Sequence, residues 1–84
     1  MYSIRLKRSA EKELSFLPDR IHDRIVEVIV RLEQNPRPAG MKKLQGRDEY
    51  RIRIGDYRIL YEINDTTKII FIGSVAHRKD VYRD

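Results

Sequence analysis

The stretch YRIRIGDYRILYEI, Tyr50 to Ile63, constrains the fold of this 84-residue chain more than any other segment. Apolar and basic residues alternate on both sides of Gly55 and Asp56, and alternation with a period of two is typical of a half-buried strand. A Gly-Asp pair between two such runs predicts a two-residue hairpin turn. The stretch is therefore expected to fold into a β-hairpin.

Counting outward from the turn predicts which hairpin residues face each other. Arg53 is expected opposite Arg58, and Arg51 opposite Leu60, on one face of the hairpin. Like charges directly opposite each other destabilise a sheet, so three guanidinium groups on one face indicate an anion-binding surface. The alternative is a solvated polar face on which the long side chains spread apart. The other face, expected to pack against helices, carries the pairs Ile54–Tyr57, Ile52–Ile59 and Tyr50–Tyr61.

The first half of the chain predicts a strand followed by two helices. YSIRLK alternates strictly between apolar and polar residues and predicts a half-buried strand. Ser9 is expected to cap the first helix, and Asp19 is a possible cap for the second. The second helix is expected to run to Gln34, because its apolar residues follow the spacing of one helical face. NPRPAG then closes that helix with two prolines and a glycine.

The second half predicts three strands. MKKLQGRDE is interpreted as a polar connection to the hairpin, and KIIFIGSV as a strand covered on both faces, because it is nearly all apolar. The polar tail is expected to lie at one end of the same sheet. The element order β-α-α-β-β-β predicts an α+β fold, with a helical hairpin packed on one face of a four-stranded, mainly antiparallel sheet.

Composition bounds the classes of function. The formal net charge of +5 favours an anionic partner, either nucleic acid or an acidic protein. The chain has no cysteine, which excludes disulfides and thiolate metal sites. No apolar run approaches the length that spans a membrane, and the charged N-terminus lacks a secretory core, so a cytoplasmic location is expected.

The segments KKLQG, YRIRIGDYRILYEI and VAHRKDVY resemble the RelE/ParE superfamily of toxins from toxin–antitoxin systems, and most closely its RelE-like branch. The resemblance covers essentially the whole chain and implies a single toxin domain over residues 1–84 with the RelE-like microbial RNase fold. It implies a ribosome-dependent endoribonuclease, an mRNA interferase, that inhibits translation. Such an enzyme cleaves mRNA in the ribosomal A site by attack of a ribose 2′-hydroxyl on the adjacent phosphate, without a metal or other cofactor.

The resemblance also implies site residues. Arginine stays protonated and is a poor proton shuttle, so proton transfer is expected from His77 first and from Tyr82 second. The plainer alternatives are a solvated strand-end histidine and a C-terminal tyrosine that anchors the chain on the sheet. Three basic residues before the hairpin are expected to bind RNA backbone: Lys42, Lys43 and Arg47. The residues expected to perform catalysis are Arg51, Arg53, Arg58, His77, Arg78 and Tyr82.

Two other functions remain open from the sequence. One is a ParE-like, non-enzymatic inhibitor of DNA gyrase, and the other is a basic binding module without toxicity. The resemblance implies as partners a cognate antitoxin, forming a hetero-oligomer with this chain, together with the 70S ribosome and mRNA. The antitoxin is expected either to cover the arginine face or to displace the C-terminal tail. The helix arginines Arg20, Arg24 and Arg31 are interpreted as ordinary solvated positions, some of which could also meet RNA.

Overall fold

The computed structural model of the chain describes residues 1–44 and 48–77. Within these residues two helices pack against one sheet, as an α+β fold requires, and neither helix has the length and apolar content needed to cross a bilayer. The elements are β1 (Ser3–Leu6), α1 (Arg8–Ser15), α2 (Asp19–Leu32), β2 (Lys42–Lys43), β3 (Glu49–Ile54), β4 (Tyr57–Asn64) and β5 (Ile69–His77).

The sheet is mainly antiparallel, as predicted, but the described residues form five strands rather than four. The strand order is β1-β5-β4-β3-β2, and only the β1–β5 pair is parallel. The additional strand is β2, which falls in the segment interpreted as a polar connection. Lys42 pairs with Arg51, and Lys43 with Tyr50. A strand of two residues is too short to show an alternating pattern in the sequence. Its presence depends on backbone pairing with the edge of β3.

The predicted hairpin register is confirmed at every pair that was counted from the turn. Arg53 lies opposite Arg58, Arg51 opposite Leu60, and the apolar pairs fall on the other face. Gly55 has a φ of 58°, in the left-handed region that favours glycine, and it occupies the first position of the two-residue turn. The register follows from local sequence, because the position of the turn fixes the first pair. The period of two then fixes the face on which every other residue lies.

The core lies between the helices and the inner face of the sheet. The buried residues of α2 are spaced by 4 and 3, which confirms the predicted helical face. Burying each large apolar side chain stabilises the fold by about 1.5–3 kcal/mol. The helices contribute Ala10, Ile25, Ile29 and Leu32, and the sheet contributes Ile52, Ile54, Ile59, Tyr61, Ile70, Ile72 and Val75.

Both helices begin differently from the prediction. α1 starts at Arg8, directly after the extended Lys7, so Ser9 lies inside its first turn and does not cap it. The Ser9 hydroxyl instead donates a hydrogen bond to the Gly73 carbonyl oxygen at 3.2 Å. Asp19 is the first residue of α2 and follows Pro18, which occupies the cap position. Only Lys7 separates strand β1 from helix α1, so Lys7 and not Ser9 occupies the cap position.

A β-bulge interrupts the pairing of β4 with β5. Leu60 pairs with Ser74 whereas Tyr61 pairs with Ile72, so Gly73 is the extra residue. Helix α1 covers the edge of β5 at this point, because the Glu13 carboxylate accepts hydrogen bonds from the Val75 N–H at 3.0 Å and from the Ser74 hydroxyl at 3.2 Å. These contacts join α1 to the second half of β5.

Strand β5 is buried on its core face, whereas its outer face is buried at Ala76 and only partly buried in the first half, so the prediction of two covered faces holds in part. Ile70 and Ile72 are fully buried in the core, whereas Ile69 and Phe71 are only partly buried and lie on the side away from the helices. The apolar run predicted two covered faces because composition alone does not distinguish a core position from an apolar residue on an open sheet face.

A salt bridge joins the loop after α2 to the turn between β4 and β5. The Arg37 guanidinium donates to both carboxylate oxygens of Asp65, at 2.9 and 3.3 Å, and the Tyr2 hydroxyl donates to the same carboxylate. These hydrogen bonds lower the pKa of Asp65 to about 2, and the hydrogen bond from Arg37 has the larger effect. Beside them the buried Tyr61 hydroxyl donates to the Pro36 carbonyl oxygen at 2.8 Å, and burial raises the pKa of Tyr61 to about 12.

Candidate functional site

Strands β3 and β4 place three arginines on the sheet face away from the helices. Arg51, Arg53 and Arg58 alternate along the strands with core residues, and the register sets Arg53 directly across from Arg58. We call these three residues the arginine cluster. The structure therefore brings together the three hairpin residues that the sequence predicted to act as a group.

The members of the arginine cluster differ in exposure. Arg53 is exposed and Arg51 is half-buried, whereas Arg58 is only 1% exposed. Counting along the strands predicts a shared face but not this difference. A guanidinium in the protein interior acts in a lower effective dielectric, where its attraction for an anion is stronger than in water. Arg58 is thus the most buried positive charge of the site, and Arg53 the most accessible.

A small cavity connects the arginine cluster to strand β2. It has a volume of about 190 Å³ and is lined by Gly40, Lys42, Arg51 and Arg53. Three of these four residues are cationic at neutral pH, and no carboxylate residue lines the cavity. The cavity can therefore accept an anionic group such as a phosphate, with Arg53 as a bidentate donor.

The two lysines of β2 have different surroundings. Lys42 lines the cavity beside the arginine cluster. Lys43 pairs with Tyr50 instead and lies 3.9 Å from a carboxylate oxygen of Asp48. Because successive residues of a strand point to opposite faces, only Lys42 shares the face of the arginine cluster.

His77, the residue expected to transfer protons, lies on the other face of the sheet. It pairs with Tyr57, whose side chain packs against the core, and the two rings meet edge to face with centroids 5.2 Å apart. Ala76, not His77, is the β5 residue opposite Arg58. Without the bulge at Gly73 the alternation would have placed His77 on the arginine face, because one extra residue exchanges the two faces.

Acidic residues occupy the far end of the arginine face. Glu62 is the next residue after Leu60 on this face of β4, and it lies opposite Glu49. Its Oε2 atom is 3.7 Å from the Lys7 Nζ atom. The face is thus positive near the hairpin turn and mixed in sign toward the other end. Three predicted site residues lie outside the described part of the chain: Arg47, Arg78 and Tyr82. Among the described residues no group of three or more histidine, aspartate or glutamate side chains is arranged to hold a metal ion.

Comparison with known proteins gives one consistent family. Residues 4–82 match the family model described as the ParE toxin of the type II toxin–antitoxin system parDE. The putative toxin RelE1 of Methanocaldococcus jannaschii is 31% identical, over 99% of this chain and 97% of the relative. The toxin RelG of Mycobacterium tuberculosis is 35% identical, over 98% of this chain and 97% of the relative.

The fold agrees with that of a solved toxin–antitoxin complex. The archaeal RelE–RelB complex from Pyrococcus horikoshii contains a chain that superposes with a TM-score of 0.84 and 32% sequence identity. The match covers 99% of this chain and 98% of the other. The arrangement of two helices on a mixed, mainly antiparallel sheet is therefore that of RelE-like toxin structures.

Proposed function

The chain belongs to the family of ParE toxins of type II toxin–antitoxin systems, within the RelE/ParE superfamily, and we propose that it is a ribosome-dependent endoribonuclease of the RelE kind. Its substrate in this proposal is mRNA in the ribosomal A site, and its action inhibits translation. The names of the two similar toxins support the RelE branch, and the described residues offer a site suited to a phosphodiester.

The arginine cluster is the observation that carries this proposal. Arg53 and Arg58 lie directly opposite each other, so this face of the hairpin carries adjacent positive charges. A scissile phosphate in the small cavity would accept charge-assisted hydrogen bonds from Lys42, Arg51 and Arg53. The net charge of +5 supports a polyanionic partner as well.

The arginine cluster can stabilise the cleavage reaction electrostatically. As the 2′-oxygen bonds to phosphorus and the bond to the 5′-oxygen breaks, negative charge increases on the non-bridging oxygens. Arg51 and Arg53 donate to the phosphate, and Arg58 supplies a fixed positive charge that needs little reorganisation during the reaction. The reaction moves one proton from the 2′-hydroxyl and delivers one to the 5′-oxygen. Because His77 lies on the other face, we assign this transfer to Tyr82, which the family resemblance implies.

A cognate antitoxin is the proposed protein partner. The Pyrococcus horikoshii relative was solved as a RelE–RelB complex. By analogy, we expect this chain to form a hetero-oligomer with its own antitoxin, and to bind the ribosome and mRNA only when released from it.

Primer extension on a defined mRNA in a reconstituted translation system tests the function. The wild type should create new 5′ ends at A-site codons only when ribosomes are present. Arg53→Ala should reduce this cleavage by about a hundredfold or more, because it removes a preorganised donor to the transition state. Arg8→Ala, an exposed arginine on α1, is the matched control and should cleave like the wild type. Equal cleavage by Arg53→Ala and Arg8→Ala would contradict the proposed site.

The family model's own description makes a ParE-like gyrase inhibitor the second candidate. The two functions differ in the first process that fails in cells. Arrested translation would support the ribonuclease. DNA damage and filamentation, with translation intact and gyrase inhibited in a purified assay, would support the second candidate instead.

A further inference from the structure

The β-bulge at Gly73 does not depend on the special conformational freedom of glycine. Gly73 does not adopt the left-handed backbone that the glycine type of bulge requires. A Cβ atom added to it would make only ordinary contacts, the nearest at 3.7 Å from the Leu60 carbonyl oxygen. The residue type at position 73 therefore does not account for the bulge, and the contacts that surround it have to.

Helix α1 takes the place of a paired strand along this part of β5. Strand β1 pairs with β5 only as far as Leu6. Beyond that residue the Ser9 hydroxyl donates to the Gly73 carbonyl oxygen at 3.2 Å, and the Glu13 carboxylate accepts from the Val75 N–H at 3.0 Å. Two side chains of α1 thus supply hydrogen bonds that a neighbouring strand would otherwise supply.

Glu13 makes the stronger of these contacts. Its half-buried carboxylate accepts two hydrogen bonds from β5, one from the Val75 N–H and one from the Ser74 hydroxyl. Hydrogen bonds to an ionised acceptor are about twice as strong as those between neutral groups. Within residues 1–44 and 48–77 no cationic side chain lies in salt-bridge range of Glu13. Its carboxylate therefore serves the bulge and not an ion pair.

The bulge decides which side chain of β5 lies beside Arg58. In the observed register Ala76 is opposite Arg58, and Val75 is in the core. If the pairing before the bulge continued without the extra residue, Val75 would lie opposite Arg58 and bring a larger, branched side chain onto the arginine face. Arg58 is only 1% exposed, so the position of its guanidinium depends on the side chains packed around it.

We propose that Glu13 is a positioning residue for the cleavage reaction and acts on Arg58 through the bulge. Its carboxylate holds the Val75 amide, and this amide sets the position of Ala76, the neighbour of Arg58 across the strand pair. Glu13 needs no contact with the RNA in this role. The effect on the reaction rests on the proposed ribonuclease function, whereas the hold on the bulge does not.

Single-turnover cleavage of mRNA on the ribosome tests the effect on rate. Glu13→Ala should lower the maximal rate by about tenfold or more, because it loosens a preorganised charge. The toxin concentration that gives half of this rate should change by less than about twofold, since substrate binding is retained. Glu13→Gln keeps an oxygen that can accept from the Val75 N–H and should stay within about threefold of the wild type. A wild-type rate in Glu13→Ala, or equal losses in both variants, would overturn the proposal.

Two control variants separate positioning from stability and from the charge of the helix. Glu11→Ala removes an exposed carboxylate from the same helix, and Ile29→Val weakens the core at α2, an element that makes no hydrogen bond to the bulge. Both should cleave at the wild-type rate, and thermal unfolding confirms that every variant is folded at the assay temperature. A loss in Ile29→Val as large as that in Glu13→Ala would reduce the effect to stability and contradict the positioning role.

A double variant tests whether Glu13 acts through Arg58. In an Arg58→Ala background, Glu13→Ala should cause a further loss of less than about twofold, because the side chain that it positions is absent. A further loss as large as in the wild-type background would show that the two residues act independently and would overturn the proposed link.

Hydrogen exchange of the Val75 amide tests the hold on the bulge without any cleavage. Exchange should be about tenfold faster or more in Glu13→Ala than in the wild type, and close to the wild type in Glu13→Gln. Unchanged exchange in Glu13→Ala would overturn the role of Glu13 at the bulge. A wild type that does not cleave mRNA would reject the ribonuclease function and the effect of Glu13 on its rate, while the exchange rates still decide whether Glu13 holds the bulge.

Discussion

Arg58 illustrates how one residue can serve both the fold and the site. It lies in a strand between core residues, yet its own side chain is on the outer face and is 1% exposed. A buried guanidinium is costly unless its surroundings compensate the charge, so its removal affects the fold as well as any bound phosphate. Loss of activity in an Arg58 variant is therefore not by itself evidence for a catalytic role.

Comparing Arg58→Ala with Arg53→Ala separates these two contributions. Arg58→Ala should lower the free energy of unfolding by about 1–3 kcal/mol, as expected when a buried side chain is removed. Arg53→Ala should change it by less than about 0.5 kcal/mol, because Arg53 is exposed. Urea unfolding measures both values. A stable Arg58→Ala protein that no longer cleaves mRNA would show that Arg58 acts only on the substrate.

The position of His77 leads to a prediction about proton transfer. His77→Gln should reduce mRNA cleavage by less than about tenfold, since its ring contacts Tyr57 on the face opposite the arginine cluster. Tyr82→Phe should reduce cleavage by about a hundredfold or more, the usual size of a general acid–base contribution. Single-turnover rates measured across pH distinguish the two. A large loss in His77→Gln, together with a changed pH dependence of the rate, would restore His77 as the proton-transfer group.

At the level of elements, the loop after α2 is held by contacts that its sequence does not suggest. Arg37 bridges to Asp65 in the β4–β5 turn and lies over the Tyr50 ring, 5.5 Å from its centroid. The loop carries Pro38 and Ala39, which line a cavity of about 480 Å³ between α2, this loop and β3. The salt bridge therefore fixes one wall of that cavity as well as joining two connections of the fold.

This salt bridge predicts a stability change in acid. The folded pKa of Asp65, about 2, lies below the ordinary value of 3.8, so the stabilisation is complete above pH 4 and is lost as pH falls toward 2. Asp65→Asn should lower the Tm at pH 6 and show a weaker decline in Tm between pH 4 and pH 2 than the wild type. Asp48→Asn, whose parent side chain is 98% exposed, is the control and should keep the wild-type decline. Identical acid profiles for wild type and Asp65→Asn would contradict the prediction.

For the whole molecule, the distribution of charge matters more than its sum. The net charge of +5 predicts an anionic partner but does not distinguish RNA from an acidic protein. The structure separates two positive surfaces that meet at Arg53, one lined by cations alone apart from Gly40 and one with an aliphatic floor. The cation-lined cavity suits a phosphate.

The sequence by itself determined the order of the elements, the face of α2 and the register of the β3–β4 hairpin. These features are local, because helix and strand periods and a Gly-Asp turn act over a few residues. Only the tertiary structure decided the burial of Arg58, the pairing of Lys42 and the cavity between α2 and β3, which depend on contacts between separate elements. It also decided the face of His77, since the single extra residue at Gly73, beside the contacts from Ser9 and Glu13, exchanges the faces of everything that follows in β5.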